Sequence, residues 1–333
     1  MVESQSSLLA RDTTHVMVRF VKHSAPFNDR TSPPGMILPS TPEPAHSAGL
    51  SGVSVQSLGS GSSGNAFLIK TDGASILLDC GIGIRTIDRA LRIHDRRLDN
   101  LDAVLITHEH SDHIRSLASL FGKKTPIVAT AGTRRQANIP PPQWEEITFA
   151  RPLAIGSVSV WAIMVKHDAR EPCGYLIETP HARISVFTDL GSWHERLVEP
   201  IRASDLVVLE SNHDEEMLRN GPYPAYLKRR VASDVGHLSN DICASSLVSA
   251  LGNGRLQPTI WLAHLSQTNN SPGLAENAAR SALFDVGLSL DVSALPRTVS
   301  GPVWTPTTVR EVSSWTPKRV PPESSQLTLD SLL

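Results

Sequence analysis

From residue 53 onward the chain alternates short apolar runs with amphipathic stretches. Residues 53–58, 66–70 and 75–79 have the length and composition of strands, and Asp72-Gly73 between the last two is a hairpin signal. Residues 86–93 repeat their apolar positions at helical spacing. The continuous apolar run 101–107 predicts a buried strand, and 114–121 an amphipathic helix after it. Further strands are expected over 157–165, 174–178, 183–188, 205–210 and 259–263, with helices over 193–202, 241–251 and 274–284. This alternation predicts one folded domain over residues 51–305. The flanks, 1–50 and 306–333, are rich in Pro and Ser without periodicity and are expected to be disordered.

Polar, metal-capable residues end these apolar strands: Asp79, His108, His167, Asp189 and His264. Strand ends that open into loops are where a rigid scaffold presents chemistry.

Composition narrows the class. With 40% hydrophobic and 19% charged residues and a net charge of −2, the chain reads as a soluble globular protein and not as a coiled coil or collagen. No global basic excess advertises a phosphate partner. No apolar run approaches the roughly 20 residues of a membrane span, so no membrane partner is expected. Cys80, Cys173 and Cys243 are far apart and form no C-x-x-C pair, which excludes a cysteine-built zinc site and speaks against a disulfide framework. No secretory signal is visible, and a reducing cytoplasm is the expected location.

Histidine changes the picture, with 13 in the chain and a cluster in Thr107-His108-Glu109-His110-Ser111-Asp112-His113. Three imidazoles and a carboxylate directly after a buried strand are ligands for a borderline divalent metal. His108 and His110, two apart on an extended strand end, project to one side and can grip one ion. Asp112 and His113, on the following turn, suit a second. Glu109 faces away and has no assigned role.

H-x-H-x-D-H after a hydrophobic strand resembles the signature of the metallo-β-lactamase-like hydrolases. Other parts of the family pattern follow in order: Asp79 in Leu-Asp-Cys-Gly, His167 in Lys-His-Asp, Asp189 in Thr-Asp-Leu-Gly and His264 in Ala-His-Leu-Ser. The resemblance implies an α+β fold, an αββα sandwich, with two divalent metal ions (Zn or Mn) along one edge. It places His108, His110 and His167 on one ion, Asp112, His113 and His264 on the other, and Asp189 between them. Asp79 then fixes the orientation of a ligand or loop instead of binding metal. Such a centre activates water as hydroxide for hydrolysis, with Asp112 orienting it or taking its proton.

No cysteine falls on a motif position, which disfavours antibiotic hydrolysis. Gly236-His237-Leu238-Ser239-Asn240 resembles the extra histidine motif of the ribonuclease Z-like nuclease branch, which implies that His237 protonates the leaving oxygen; the alternative is a polar residue at a helix N-terminus. The Gly/Ser loop at Ser60, Gly61, Ser62, Ser63 and Asn65 offers a phosphate-binding site or is a flexible turn. The basic loop 225–230 either contacts phosphate or is a solvated helix face. Asp189 and His237 are 48 residues apart, too close for a large inserted cap domain. Together these motifs look most like the YycJ/WalJ subgroup. The resemblance implies a phosphodiesterase, a DNA exonuclease with nucleic acid as its partner. A small-molecule hydrolase acting on a thioester, lactone or cyclic phosphodiester is the alternative.

Overall fold

The computed structural model describes residues 52–252, 254, 256–308 and 311–317. The expected N-terminal tail over 1–50 and the end of the C-terminal one lie outside the described residues. The first sheet is built from β1 (Ser54–Gly59), β2 (Ala66–Lys70), β3 (Ser75–Leu78), β4 (Ala103–Leu105), β5 (Ile127–Ala129) and β6 (Trp144–Glu146). The second holds β7 (Leu153–Ile155), β8 (Val158–Met164), β9 (Cys173–Glu178), β10 (Arg183–Phe187), β11 (Leu206–Glu210), β12 (Thr259–Ala263) and β13 (Val292–Ala294). The closing strand β14 (Val303–Trp304) returns to pair with β1, so the two seven-stranded orders are 14-1-2-3-4-5-6 and 13-12-11-10-9-8-7. The Asp72-Gly73 signal sits where predicted, joining β2 to β3 with Lys70 opposite Ser75.

Period-two alternation sorts the side chains. Phe67, Ile69, Ile76 and Leu78 point inward and meet Val160, Tyr175, Ile184 and Val208 of the other sheet in one buried core. The intervening Leu68 and Leu77 face outward, where helix α1 (Ile84–Ile93) covers them with Ile87 and Leu91. The short helices α2 (Ser111–Ile114) and α3 (Ala131–Gln136) belong to the same half of the chain. Val207, Leu209, Ile260 and Leu262 face the opposite outer layer. That layer is formed by α4 (Val198–Arg202), α7 (Asn240–Leu251) and α8 (Pro272–Asp285), after the short α5 (Glu215–Asn220) and α6 (Ala225–Val231). The result is the expected αββα sandwich.

Local differences have local causes. The helix expected over 114–121 is only α2 and a 3₁₀ turn at Leu117–Leu120. Ser116 lies between them, its N–H donating to Cys80 O at 2.9 Å and its hydroxyl to Ile82 O at 2.6 Å, which pulls the chain out of helical register. The stretch 225–230 is helical, not a loop. Residues 311–317 lie against the second sheet: the Trp315 N–H donates to Glu178 Oε1 at 2.8 Å, and its ring meets Trp161 edge-on at 5.0 Å.

Candidate metal centre

Strand ends deliver the site. Asp79 follows β3, His108 follows β4 by way of Ile106 and Thr107, and His167 follows β8; Asp189, Glu210 and His264 stand at the ends of β10, β11 and β12. Three of these residues leave their strands with left-handed backbone: Asp79 (φ 56°), Asp189 (φ 59°) and His264 (φ 56°). Each such non-glycine residue costs of order 1–3 kcal/mol, a strain that collects where side-chain direction matters. The two sheets are tied together at this edge. Cys173 N–H donates to Thr107 O at 3.1 Å, Tyr175 Oη–H to Ile106 O at 2.7 Å, and His264 N–H to Ser60 Oγ at 3.0 Å.

Two ligand groups converge, and their donor atoms lie within 4.8 Å of one another in each: His108, His110 and His167, and Asp112, His113, Asp189 and His264. Asp189 reaches both. Its Oδ1 is 3.7 Å from His167 Nε2 and 3.4 Å from His264 Nε2, and its Oδ2 is 3.0 Å from His113 Nε2. His264 Nε2 is also 3.2 Å from Asp112 Oδ2.

The surrounding hydrogen bonds fix the tautomers. A carboxylate or carbonyl oxygen only accepts, so the imidazole nitrogen facing it carries the proton. His113 Nδ1 donates to Asp79 Oδ2 (2.7 Å), His167 Nδ1 to Gly236 O (3.0 Å) and His264 Nδ1 to Glu210 Oε1 (3.1 Å). Thr107 gives its hydroxyl proton to Asp79 Oδ2, so its Oγ1 accepts from His108 Nδ1 at 3.1 Å. All four rings therefore turn Nε2 toward the cluster, the arrangement that outer hydrogen bonds impose on metal-binding histidines. His113 Nε2 faces Asp189 Oδ2 at 3.0 Å and the Asn65 amide nitrogen at 3.1 Å, and the buried His108 Nε2 has no hydrogen-bond partner. Buried imidazole and carboxylate groups that face one another are matched by a positive charge between them, a proton in the metal-free protein or a metal ion in its place. The residues fit a divalent metal with imidazole and carboxylate ligands.

The electrostatics agree. Burial, reinforced by neighbouring imidazoles, holds His108 well below the usual histidine range, and burial lowers His167, so both are neutral ligands in waiting. Burial opposes charge on His113 and His264, but carboxylates outweigh it: Asp189 and Asp79 raise His113 well above its ordinary value, and Asp189, Asp112 and Glu210 raise His264 to about 10. Burial likewise works against the Asp189 carboxylate, yet His264 and His113 bring it well below the usual range.

The structure brings together every residue that the motif analysis expects on metal, and Asp79 stands outside this group, bonded to His113 Nδ1. His237 lies beside Asp189, 3.8 Å from its Oδ1. The Gly/Ser loop is largely turned inward: Ser60 and Asn65 are buried, Asn65 Oδ1 accepts from Gly61 N–H (3.0 Å) and Asn65 N–H donates to Asp112 O (2.8 Å). Ser62 and Ser63 are its exposed hydroxyls. The residue that sequence reasoning missed is Glu210. It forms a third group with Asp189, His237 and His264, and it carried the same signal as Asp79 and Asp189, a carboxylate closing an apolar strand.

The description "Beta-lactamase superfamily domain" matches residues 74–261. The chain belongs to the metallo-β-lactamase superfamily. Within it, the chain is similar to the protein called exodeoxyribonuclease YycJ from Bacillus anthracis, 33% identical over 239 residues covering 70% of this chain and 90% of that protein. It is also similar to exodeoxyribonuclease WalJ from Streptococcus pneumoniae, 32% identical over 244 residues with the same coverage. The metallo-β-lactamase fold protein YhfI from Bacillus subtilis shares the fold, with a TM-score of 0.57 and 18% identity over 76% of this chain and 98% of that one. Family membership makes this chain a hydrolytic enzyme with a metal-binding His/Asp cluster. Among the described residues, no helix is long and apolar enough to cross a membrane.

Proposed function

We propose that the protein is a metal-dependent phosphodiesterase acting on nucleic acid, an exonuclease on DNA, with its chemistry carried by one domain over residues 51–305. The observation that carries this reading is the Glu210–His237 pair. His237 Nδ1 donates to Glu210 Oε1 at 2.7 Å, beside Asp189, and its side chain keeps 17% of its surface exposed. The carboxylate fixes the ring through Nδ1 and leaves Nε2 outside that bond. An alkoxide leaving a phosphodiester needs a proton, whereas a thiolate leaving a thioester departs without one. A positioned imidazole at this place therefore favours a phosphodiester over a thioester. The naming of YycJ and WalJ as exodeoxyribonucleases supports DNA as the substrate.

Two divalent cations, Zn or Mn, would be held by His108, His110 and His167 and by Asp112, His113 and His264, with Asp189 within reach of both, and would supply Lewis acidity for water and for the phosphate charge. The chain's own groups do the rest. Asp112, one-fifth exposed and 3.2 Å from His264 Nε2, orients the attacking water and accepts its proton. His237 delivers a proton to the departing oxygen, and Glu210 stabilises the charged ring. Asp79 holds His113, and Ser62 and Ser63 are the positions of the Gly/Ser loop open to a phosphate. The three cysteines are free and buried, in keeping with a reducing cytoplasm.

The test is end-labelled duplex DNA with purified, metal-loaded protein. Nucleotide release that depends on Mn²⁺ or Zn²⁺ and disappears in His110→Ala is expected. Protein that leaves DNA, RNA and bis-p-nitrophenyl phosphate intact overturns the reading.

A further inference from the structure

A cavity of about 430 Å³ is lined at one side by His167, and its other walls are used by none of the chemistry above. Pockets of this size take one small ligand. Part of its wall is apolar, from Met164, Pro172, Leu197 and Val235. Met164 and Val235 are each 44% exposed, so the rest of the fold leaves them uncovered. Three cations share the same space: Lys166, Arg170 and Arg196. The Arg196 side chain rests on His194, its Nε donating to His194 Nδ1 at 3.1 Å. Lys166 and Arg170 are exposed and form no ion pair among the described residues. Two carboxylates also line the cavity, but Glu171 accepts from Gly132 N–H and Asp234 lies exposed at the rim.

The cations sit on a wall that is fixed to the metal-binding motif. Glu109, between His108 and His110, accepts the Arg170 N–H at 2.6 Å. Lys166 O accepts from Gly191 N–H at 2.7 Å, and Asp168 N–H donates to Val235 O at 3.1 Å. Asp168 is held in turn by Arg230 at 2.7 Å. The backbone of 166–170 is thus tied on three sides, so the charged groups are presented from a fixed wall and not from a free loop.

Unpaired cations beside uncovered apolar side chains match a ligand with a flat apolar body and a compact anion. Two cations favour a phosphate monoester, with a charge of about −1.5 to −2 near neutral pH, over the single charge of an internal phosphodiester. Resting on the nuclease reading above, we propose that this cavity seats the terminal nucleotide of the substrate strand. Its phosphate monoester lies on Lys166 and Arg170 and its base against Met164 and Val235, which presents the bond next to a phosphorylated end to the metal ligands. Glu109 is the positioning residue that sets this wall relative to His108 and His110.

Calorimetric titration of the full chain with thymidine, thymidine 5′-monophosphate and thymidine 3′-monophosphate tests the pocket directly. One monophosphate should bind at least about tenfold tighter than thymidine, the effect of one charge-assisted contact. The doubly substituted Lys166→Ala/Arg170→Ala protein should lose that difference. In parallel, duplexes ending in a 5′-phosphate, a 3′-phosphate or hydroxyls should be degraded at different rates, with the same end preferred in both assays. Equal binding of all three probes, or a preference that survives in the double variant, overturns the pocket even if DNA is degraded. Selective binding that the double variant abolishes, in a protein that degrades no nucleic acid, upholds the pocket and overturns the nuclease reading instead.

Discussion

His237 Nδ1 and Glu210 Oε1 are 2.7 Å apart, and the other oxygen of the same carboxylate accepts the backbone N–H groups of Leu190 and Leu238. Glu210 is fully buried and its carboxyl is lowered to about 2, because His237 and His264 outweigh the cost of burial. In the proposed reaction the pair is a general acid with a fixed orienter. His237→Ala should slow duplex cleavage by about 10²–10⁴-fold, the usual worth of positioned proton transfer. Bis-p-nitrophenyl phosphate, whose leaving group departs unprotonated, should suffer far less. Equal losses on the two substrates would remove His237 from the leaving-group role.

Asp79 tests the orientation of the ligands. It accepts from His113 Nδ1 and from both the N–H and the hydroxyl of Thr107. Asp79→Ala frees His113 and Thr107 together, and metal affinity should fall by about 10–100-fold. A chelator-competition titration measures this without any substrate. Unchanged affinity would mean that His113 keeps its tautomer by other means.

The proton balance of the metal-free protein gives a pH dependence. His264 is raised from 6.5 to about 10, so its stabilisation is complete below pH 6.5 and is lost as pH rises through 10; His113 is raised in the same direction and adds to the loss above pH 6.5. Glu210 is lowered from 4.5 to about 2, so its contribution is present above pH 4.5 and disappears as pH falls through 2. The melting temperature of chelator-treated protein should therefore decline from pH 6.5 to 10. The gain on adding metal should grow over the same range, because the metal replaces those protons. A flat metal-free profile across this window would contradict the electrostatics described above.

Gly81 is a packing test. A Cβ there would stand 1.6 Å from Asp112 O, whereas one at Gly83 would meet nothing within 4 Å. Gly81→Ala should destabilise the fold by about 1–3 kcal/mol or more and weaken metal binding by displacing the 110–113 turn. Gly83→Ala should do neither, and thermal melting of the two variants side by side decides it.

Much of the site was legible because its donors are local or mark strand ends. His108, His110, Asp112 and His113 share one turn, and Asp79, Asp189 and His264 each close an apolar run. Glu210 closes one as well, but no neighbouring motif singled it out from other strand-end carboxylates. Glu109 acquires its partner Arg170 only by tertiary folding, 61 positions away. The Gly/Ser loop is only partly legible for a related reason. Its composition suggests open backbone donors, but Asn65 folds back and takes the Gly61 N–H for itself. The 114–121 helix failed on Ser116, whose bonds to Cys80 and Ile82 lie outside any local pattern.

His108 and His110 come from the first sheet, and His167, Asp189 and His264 from the second. No half of the chain holds a full ligand set, and within one ligand group Asp112 and His264 are 152 positions apart. Metal capture is consequently a late event in the life of the molecule. The ligand set assembles only when the two sheets dock, so metal retention would report on correct pairing of the two halves.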